Sequence, residues 1–167
     1  MKNLEYRREL DRAARAAVLG IMATSAMTLL MAAGIVPGAP AAFRVFPVDV
    51  VHRVFPSLGQ LGLTFTTLLM HFGYGAAAAA GFSYLARPMS IGRGLAYGLA
   101  LWIVMQVSVV PWTYHWLEFG LGRGYPWTAL DTLVLHLVYG GTLGWLGARD
   151  EVAHHSRFDE ADRLVVA

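Results

Sequence analysis

Apolar positions in this chain gather into four long runs: residues 16 to 36, 58 to 86, 94 to 110 and 128 to 148. Each reaches the roughly 17–25 residues with which a helix crosses the hydrocarbon core of a bilayer. The pattern predicts an all-α, integral membrane four-helix bundle. The second run exceeds what a crossing needs, so it must tilt or protrude. Gly20, Ala23, Thr24, Ala26 and Met27 set a face of mostly small residues on the first run, and Gly94 and Gly98 do the same on the third, both suited to close helix approach. A cleavable leader is the rival reading of the first run, with Ala39-Pro40-Ala41 as its cut site. The run's length and the acidic residues ahead of it argue against that.

Polar stretches frame these runs. Residues 1–15 alternate acid and base at near-helical spacing, as in Glu5 with Arg8, and predict a short solvent-facing helix. Pro37 to Pro56 reads as an outer loop with an echo, Arg44-Val45-Phe46-Pro47 and Arg53-Val54-Phe55-Pro56. Between the copies, residues 48–52 are amphipathic and too short to cross, which predicts a short interfacial helix. Arg87-Pro88 ends the second run and Pro111 the third. Trp112, Tyr114, His115, Trp116, Tyr125 and Trp127 then form an aromatic belt of the kind that favours headgroup level. Residues 149–167 form a charged tail, read as a short helix or disorder.

Charge fixes the orientation. Of the 13 Lys and Arg, ten fall in segments 1–15, 87–93 and 149–167, and three, Arg44, Arg53 and Arg123, in the intervening loops. The bias places both termini in the cytoplasm. Basic residues at the ends of apolar runs do not make a nucleic-acid face, so nucleic acid is excluded as a partner. Only 14% of residues are charged, against about 25% in ordinary soluble domains. There is no cysteine, which removes disulfides and thiolate metal sites.

A repeat carries the candidate chemistry. Leu68 to Gly75 reads L-L-M-H-F-G-Y-G and Leu133 to Gly140 reads L-V-L-H-L-V-Y-G. His71 thus matches His136, Tyr74 matches Tyr139, and Gly75 matches Gly140. With the topology above, spans one and two form one hairpin and spans three and four another, related as parallel repeats. Counted from Arg87 and Arg149, the two imidazoles differ in depth by only about 5 Å at about 1.5 Å per residue. Ionisable side chains inside a span are candidate functional groups. Three readings stay open. The pair serves as axial ligands of a b-type haem, with Gly75 and Gly140 admitting the flat macrocycle. It belongs to a small-ligand, metal or proton transport site, with Asp131 and Glu118 as further groups. Or the histidines and tyrosines are packing groups that bond across helices.

Other polar positions weigh less. Asp131 reads as a first-turn residue serving the helix dipole. Glu118 and His115 sit in the aromatic loop, and His52 and Asp49 in the first loop. Gln106, Ser108, Thr24 and Thr28 are mid-span groups expected to bond helix backbone. No Ser-His-Asp pattern, His-Glu-x-x-His, P-loop or Rossmann fingerprint occurs. Gly20-x-x-Ala23-Thr24-x-x-Met27-Thr28, the His-x-x-Tyr-Gly copies and the glycine-rich last run resemble the small bacterial four-helix inner-membrane proteins of the YagU-like kind, over residues 16–148. That resemblance implies a multi-pass inner-membrane protein and brings no agreed activity or ligand. The expectation is a small non-enzymatic membrane protein with an intramembrane His/Tyr pocket, in contact with lipid and with other membrane subunits or a second copy.

Overall fold

A computed structural model of the chain describes residues 2–33, 48–110, 112 and 125–166, with backbone only for 2–4, 8, 125–128 and 155–166. The Arg44–Pro47 half of the loop echo, Arg123, and Tyr114, His115, Trp116 and Glu118 of the aromatic loop lie outside those residues. All regular structure among the described residues is helical. The elements are α1 (Lys2–Ala32), a short helix α2 (48–54), α3 (Gln60–Leu85), α4 (Ile91–Val104) and α5 (Tyr125–Val166). A π-helical turn, Met105–Val109, continues α4.

The apolar runs become helices, but their edges move. The polar residues before the first run are not a separate helix; they continue into it as one 31-residue rod. The tail likewise extends α5 without a break, to 42 residues. Neither junction holds a proline, and the one glycine at the second, Gly147, packs against Met89 and does not interrupt the helix. α4 starts three residues ahead of the expected Gly94, because Ser90 caps it: its hydroxyl accepts the Arg93 N–H at 3.3 Å. α2 appears where an amphipathic segment was expected, with Val51 fully buried.

α1 packs on α3, α4 packs on α5, and α1 also packs on α5. The first two pairs meet through glycines. A Cβ at Gly20 would strike the Gly75 carbonyl and Ala79, and one at Gly75 would strike the Thr24 hydroxyl. In the second pair, Gly94 and Gly98 face Gly140, Gly144 and the His136 carbonyl, again at distances no Cβ tolerates. Each pair runs antiparallel: rising numbers on α1 meet falling numbers on α3, and α4 meets α5 the same way.

The interior combines small residues and a few polar ones with a limited set of large apolar side chains, while the exterior is rich in large apolar ones. Buried positions include Gly20, Ala23, Thr24, Gly75, Ala79, Ser83, Asp131 and Thr132, with Phe82, Met89, Leu135, Tyr139 and Leu143 among the large ones. Leu61, Phe65, Leu68 and Leu69 of α3 point outward, as do Leu95, Leu99 and Ile103 of α4 and Val107 of the π-helical turn. Two helices, Glu5–Ala32 and Ile91–Val109, are long and apolar enough to cross a membrane.

Candidate functional site

The matched residues of the repeat converge on one region of the helix assembly, in two layers. The outer layer, further from the arginine-rich helix ends, holds the histidines. His71 on α3 meets Thr28 on α1, its Nε2 lying 3.0 Å from the hydroxyl. That hydroxyl lies 2.7 Å from the Thr24 carbonyl, to which it donates its single proton. It can therefore only accept from the ring, which makes His71 the Nε2–H tautomer and leaves Nδ1 as a lone pair. Below it, Thr24 donates to the Gly20 carbonyl at 2.8 Å, so a ladder of hydroxyls on α1 fixes the imidazole.

His136 is fixed differently. Its Nδ1 lies 2.7 Å from the Thr132 carbonyl, one turn back on the same helix. A carbonyl only accepts, so His136 is the Nδ1–H tautomer and Nε2 carries the lone pair. Thr132 is itself held: its hydroxyl donates to the Ala129 carbonyl and accepts from Trp102 Nε1 at 3.1 Å and Gln106 Nε2 at 3.3 Å. Gln106, expected to bond helix backbone, thus reaches across to α5. No group among the described residues meets His71 Nδ1 or His136 Nε2.

The tyrosines form the second layer. The Tyr139 hydroxyl donates to the Gly75 carbonyl at 2.6 Å, joining the two copies of the repeat. Tyr97 donates to the Ala78 carbonyl at 2.7 Å and leans on Phe82, with ring centroids 4.9 Å apart. Tyr74, the repeat partner of Tyr139, is half exposed at 54%. Gly75 and Gly140 do not face open space. Gly20 and Thr24 cover the first, and Gly94 and Gly98 cover the second. What they admit is a neighbouring helix.

Asp131 is not a first-turn residue. α5 begins six residues earlier, at Tyr125, and the dipole effect fades within the first turn. The side chain is buried, and Oδ2 has no partner among the described residues. Thr67 was passed over in the sequence. It matches Thr132 at the repeat spacing, one turn before each histidine, and its hydroxyl oxygen is buried without a partner among the described residues. Extending the repeat alignment back from the histidines would have found it. No group of three or more His, Asp or Glu suited to a metal ion occurs among the described residues. The chain matches no family model, no curated protein and no solved structure.

Proposed function

We propose that this chain is a four-span integral membrane protein of the bacterial inner membrane, similar to the YagU-like proteins, with both termini in the cytoplasm. The pairs α1–α3 and α4–α5 are its two parallel-related hairpins, closed into one bundle by α1 on α5 and by the Tyr97–Ala78 contact of α4 with α3. Large apolar side chains outside, with glycines and other small residues in the helix contacts, support insertion, because lipid makes such an exterior favourable. Its working part is the imidazole pair, and the protein is a small-ligand or proton site built into a membrane bundle rather than an enzyme. The observation that carries this reading is that Thr28 meets His71 at Nε2 while the Thr132 carbonyl meets His136 at Nδ1. Each ring spends one nitrogen on the protein and holds out the other, from helices that face each other across the core.

One feature favours the haem reading as the second. An Nδ1–H bonded to a backbone carbonyl orients Nε2 as a metal-ligating nitrogen, which describes His136. His71 does not match it, since Thr28 holds its Nε2, and the glycines beside both rings are filled by helices. The residues present therefore suit one axial ligand and not two.

The test is an oxidised and reduced absorption spectrum of protein extracted in mild detergent from its native membrane. A colourless protein is the expected result. A Soret band lost in His136→Ala and kept in His71→Ala would move the assignment to a singly ligated tetrapyrrole. Recovery of the chain in the soluble fraction without detergent would overturn the membrane reading itself.

A further inference from the structure

At the opposite end from the histidines, α1, the turn after α3 and the extension of α5 line a half-open cavity of about 430 Å³. That is within the roughly 300–1,000 Å³ typical of ligand pockets. Arg12 and Arg15 of α1 and Arg87 after α3 line it together with Asp150, Glu151 and His154 of α5, and Glu9 of α1 sits beside Arg12 and Arg87. Leu19, Pro88 and Met89 supply apolar lining.

The walls are tied but not closed off. Glu9 holds Arg12 at 3.1 Å and Arg87 at 3.0 Å. Arg15 Nε lies 3.4 Å from Asp150 Oδ2, an ion pair without a hydrogen bond. Glu151 accepts the Met89 N–H at 3.0 Å. A guanidinium offers five N–H donors and a carboxylate about four acceptor positions, more than the ion pairs of Arg12, Arg15, Arg87 and Asp150 use. Counting Glu9, three arginines balance three carboxylates, and with His154 neutral the formal charge around the cavity is zero. A simple anion gains little from such a site. A zwitterion gains at both of its ends.

We infer that this cavity binds the headgroup of a zwitterionic aminophospholipid of the phosphatidylethanolamine type. The phosphodiester lies on Arg12, Arg15 and Arg87, the primary ammonium on Asp150 and Glu151, and the acyl chains run along Leu19 toward the apolar exterior. The depth fits: Arg15, Arg87 and Asp150 all sit where an apolar run gives way to charge, the level of lipid headgroups. A primary ammonium donates three hydrogen bonds to carboxylates, and a trimethylammonium donates none. The inference rests on the chain being embedded in a bilayer and is independent of the histidines.

The experiment is native mass spectrometry of the full chain in detergent, titrated separately with phosphatidylethanolamine, phosphatidylglycerol and phosphatidylcholine. Phosphatidylethanolamine should be retained about fivefold better than either other lipid, the ratio that one charge contact of about 1 kcal/mol produces. Asp150→Asn should lower that retention and raise phosphatidylglycerol; Arg15→Gln should lower both. Equal retention of the three lipids by the wild-type chain would overturn the inference, with no variant needed. So would a preference that neither substitution changes. Displacement of the lipid by equimolar glycerophosphoethanolamine would overturn the lipid assignment in favour of a free solute. A chain that extracts only with detergent yet shows no headgroup preference fails this inference alone and leaves the membrane reading standing.

Discussion

Gly75→Ala is the substitution whose outcome the packing determines most sharply, because the obstacle is a single side-chain atom. A Cβ on Gly75 runs into the Thr24 hydroxyl, while Thr24 Cβ lies 3.2 Å away and the Gly20 carbonyl 3.6 Å away. Overpacking of this kind costs about 1–3 kcal/mol, against a helix-propensity gain for alanine of at most about 1 kcal/mol. The single variant should lose about 1–2 kcal/mol. Thr24→Ala alone removes a hydroxyl bonded to a carbonyl that keeps its own helical N–H, and should cost less than about 1 kcal/mol. Combined, the two should recover most of the loss. The only remaining close contact is then Cβ on Cβ near 3.2 Å, which a shift of a few tenths of an ångström relieves. The coupling should be about 1–2 kcal/mol and favourable, within the range seen for touching residues. Gly140→Ala offers the contrast. Its new Cβ meets the Gly94 carbonyl and Gly98 Cα, backbone that no neighbouring side-chain deletion removes. Gly73→Ala, with nothing within 4 Å, is the control and should be neutral or slightly stabilising. Unfolding in mixed micelles, followed through tryptophan emission, measures all five proteins. Additive losses in Thr24→Ala/Gly75→Ala, or a Gly140→Ala variant as stable as Gly73→Ala, would refute the helix crossings described above.

Three further outcomes follow from the same contacts. Thr28→Val keeps the shape but removes the group that fixes His71; it should cost about 0.6 kcal/mol, and nitrogen-15 imidazole spectra should show His71 losing its pure Nε2–H signature while His136 stays Nδ1–H. Tyr139→Phe removes a buried interhelical bond and should cost about 0.5–1.5 kcal/mol, whereas Tyr74→Phe at the matching position should stay within about 0.5 kcal/mol; equal losses in micellar unfolding would contradict the unequal burial of the two rings. Because the chain has no cysteine, single cysteines report topology cleanly: Arg8→Cys and Arg163→Cys should react with an impermeant maleimide only after spheroplasts are broken, and Arg53→Cys in intact spheroplasts.

The run structure of the sequence was enough to place every long helix, because a stretch of twenty apolar residues has few other solutions. The repeat also predicts His71 and His136 at similar heights, since α3 and α5 run in the same direction and the two residues lie at similar distances from the charged helix ends. Helix ends were not legible in the same way. Residues 1–15 and 149–166 are polar enough to suggest a break, yet their spaced acid–base pairs support helix as well as solubility, and nothing in them stops propagation. Nor was it legible that Tyr139 is buried and Tyr74 exposed. The two share their local motif, and only the rotation of α3 against its neighbours separates them. Thr67 and Thr132 escaped notice because threonine is common in such runs and signals nothing until a ring or a helix is seen beside it. Asp131 was misjudged through its assumed distance from a helix start that lies further back.

The two copies of the repeat agree where backbone meets backbone and differ where polar groups bond. Gly75 and Gly140 each receive a neighbouring helix, since any Cβ there collides. The histidines, free of that constraint, are held by opposite nitrogens, so a ligand reaching both would meet Nδ1 of one and Nε2 of the other. The same arrangement makes their removal unusually informative. In His71→Ala the Thr28 hydroxyl still donates to the Thr24 carbonyl, and in His136→Ala the Thr132 carbonyl keeps its helical N–H. Neither variant strands a buried donor, so the penalty is the lost bond and a partly exposed void, about 1 kcal/mol each. If ligand binding or proton flux is lost in either variant while micellar stability stays within that margin, the nitrogens themselves are the site. A loss of several kcal/mol with each alanine would instead make the imidazoles structural, and the proposed pair would fall.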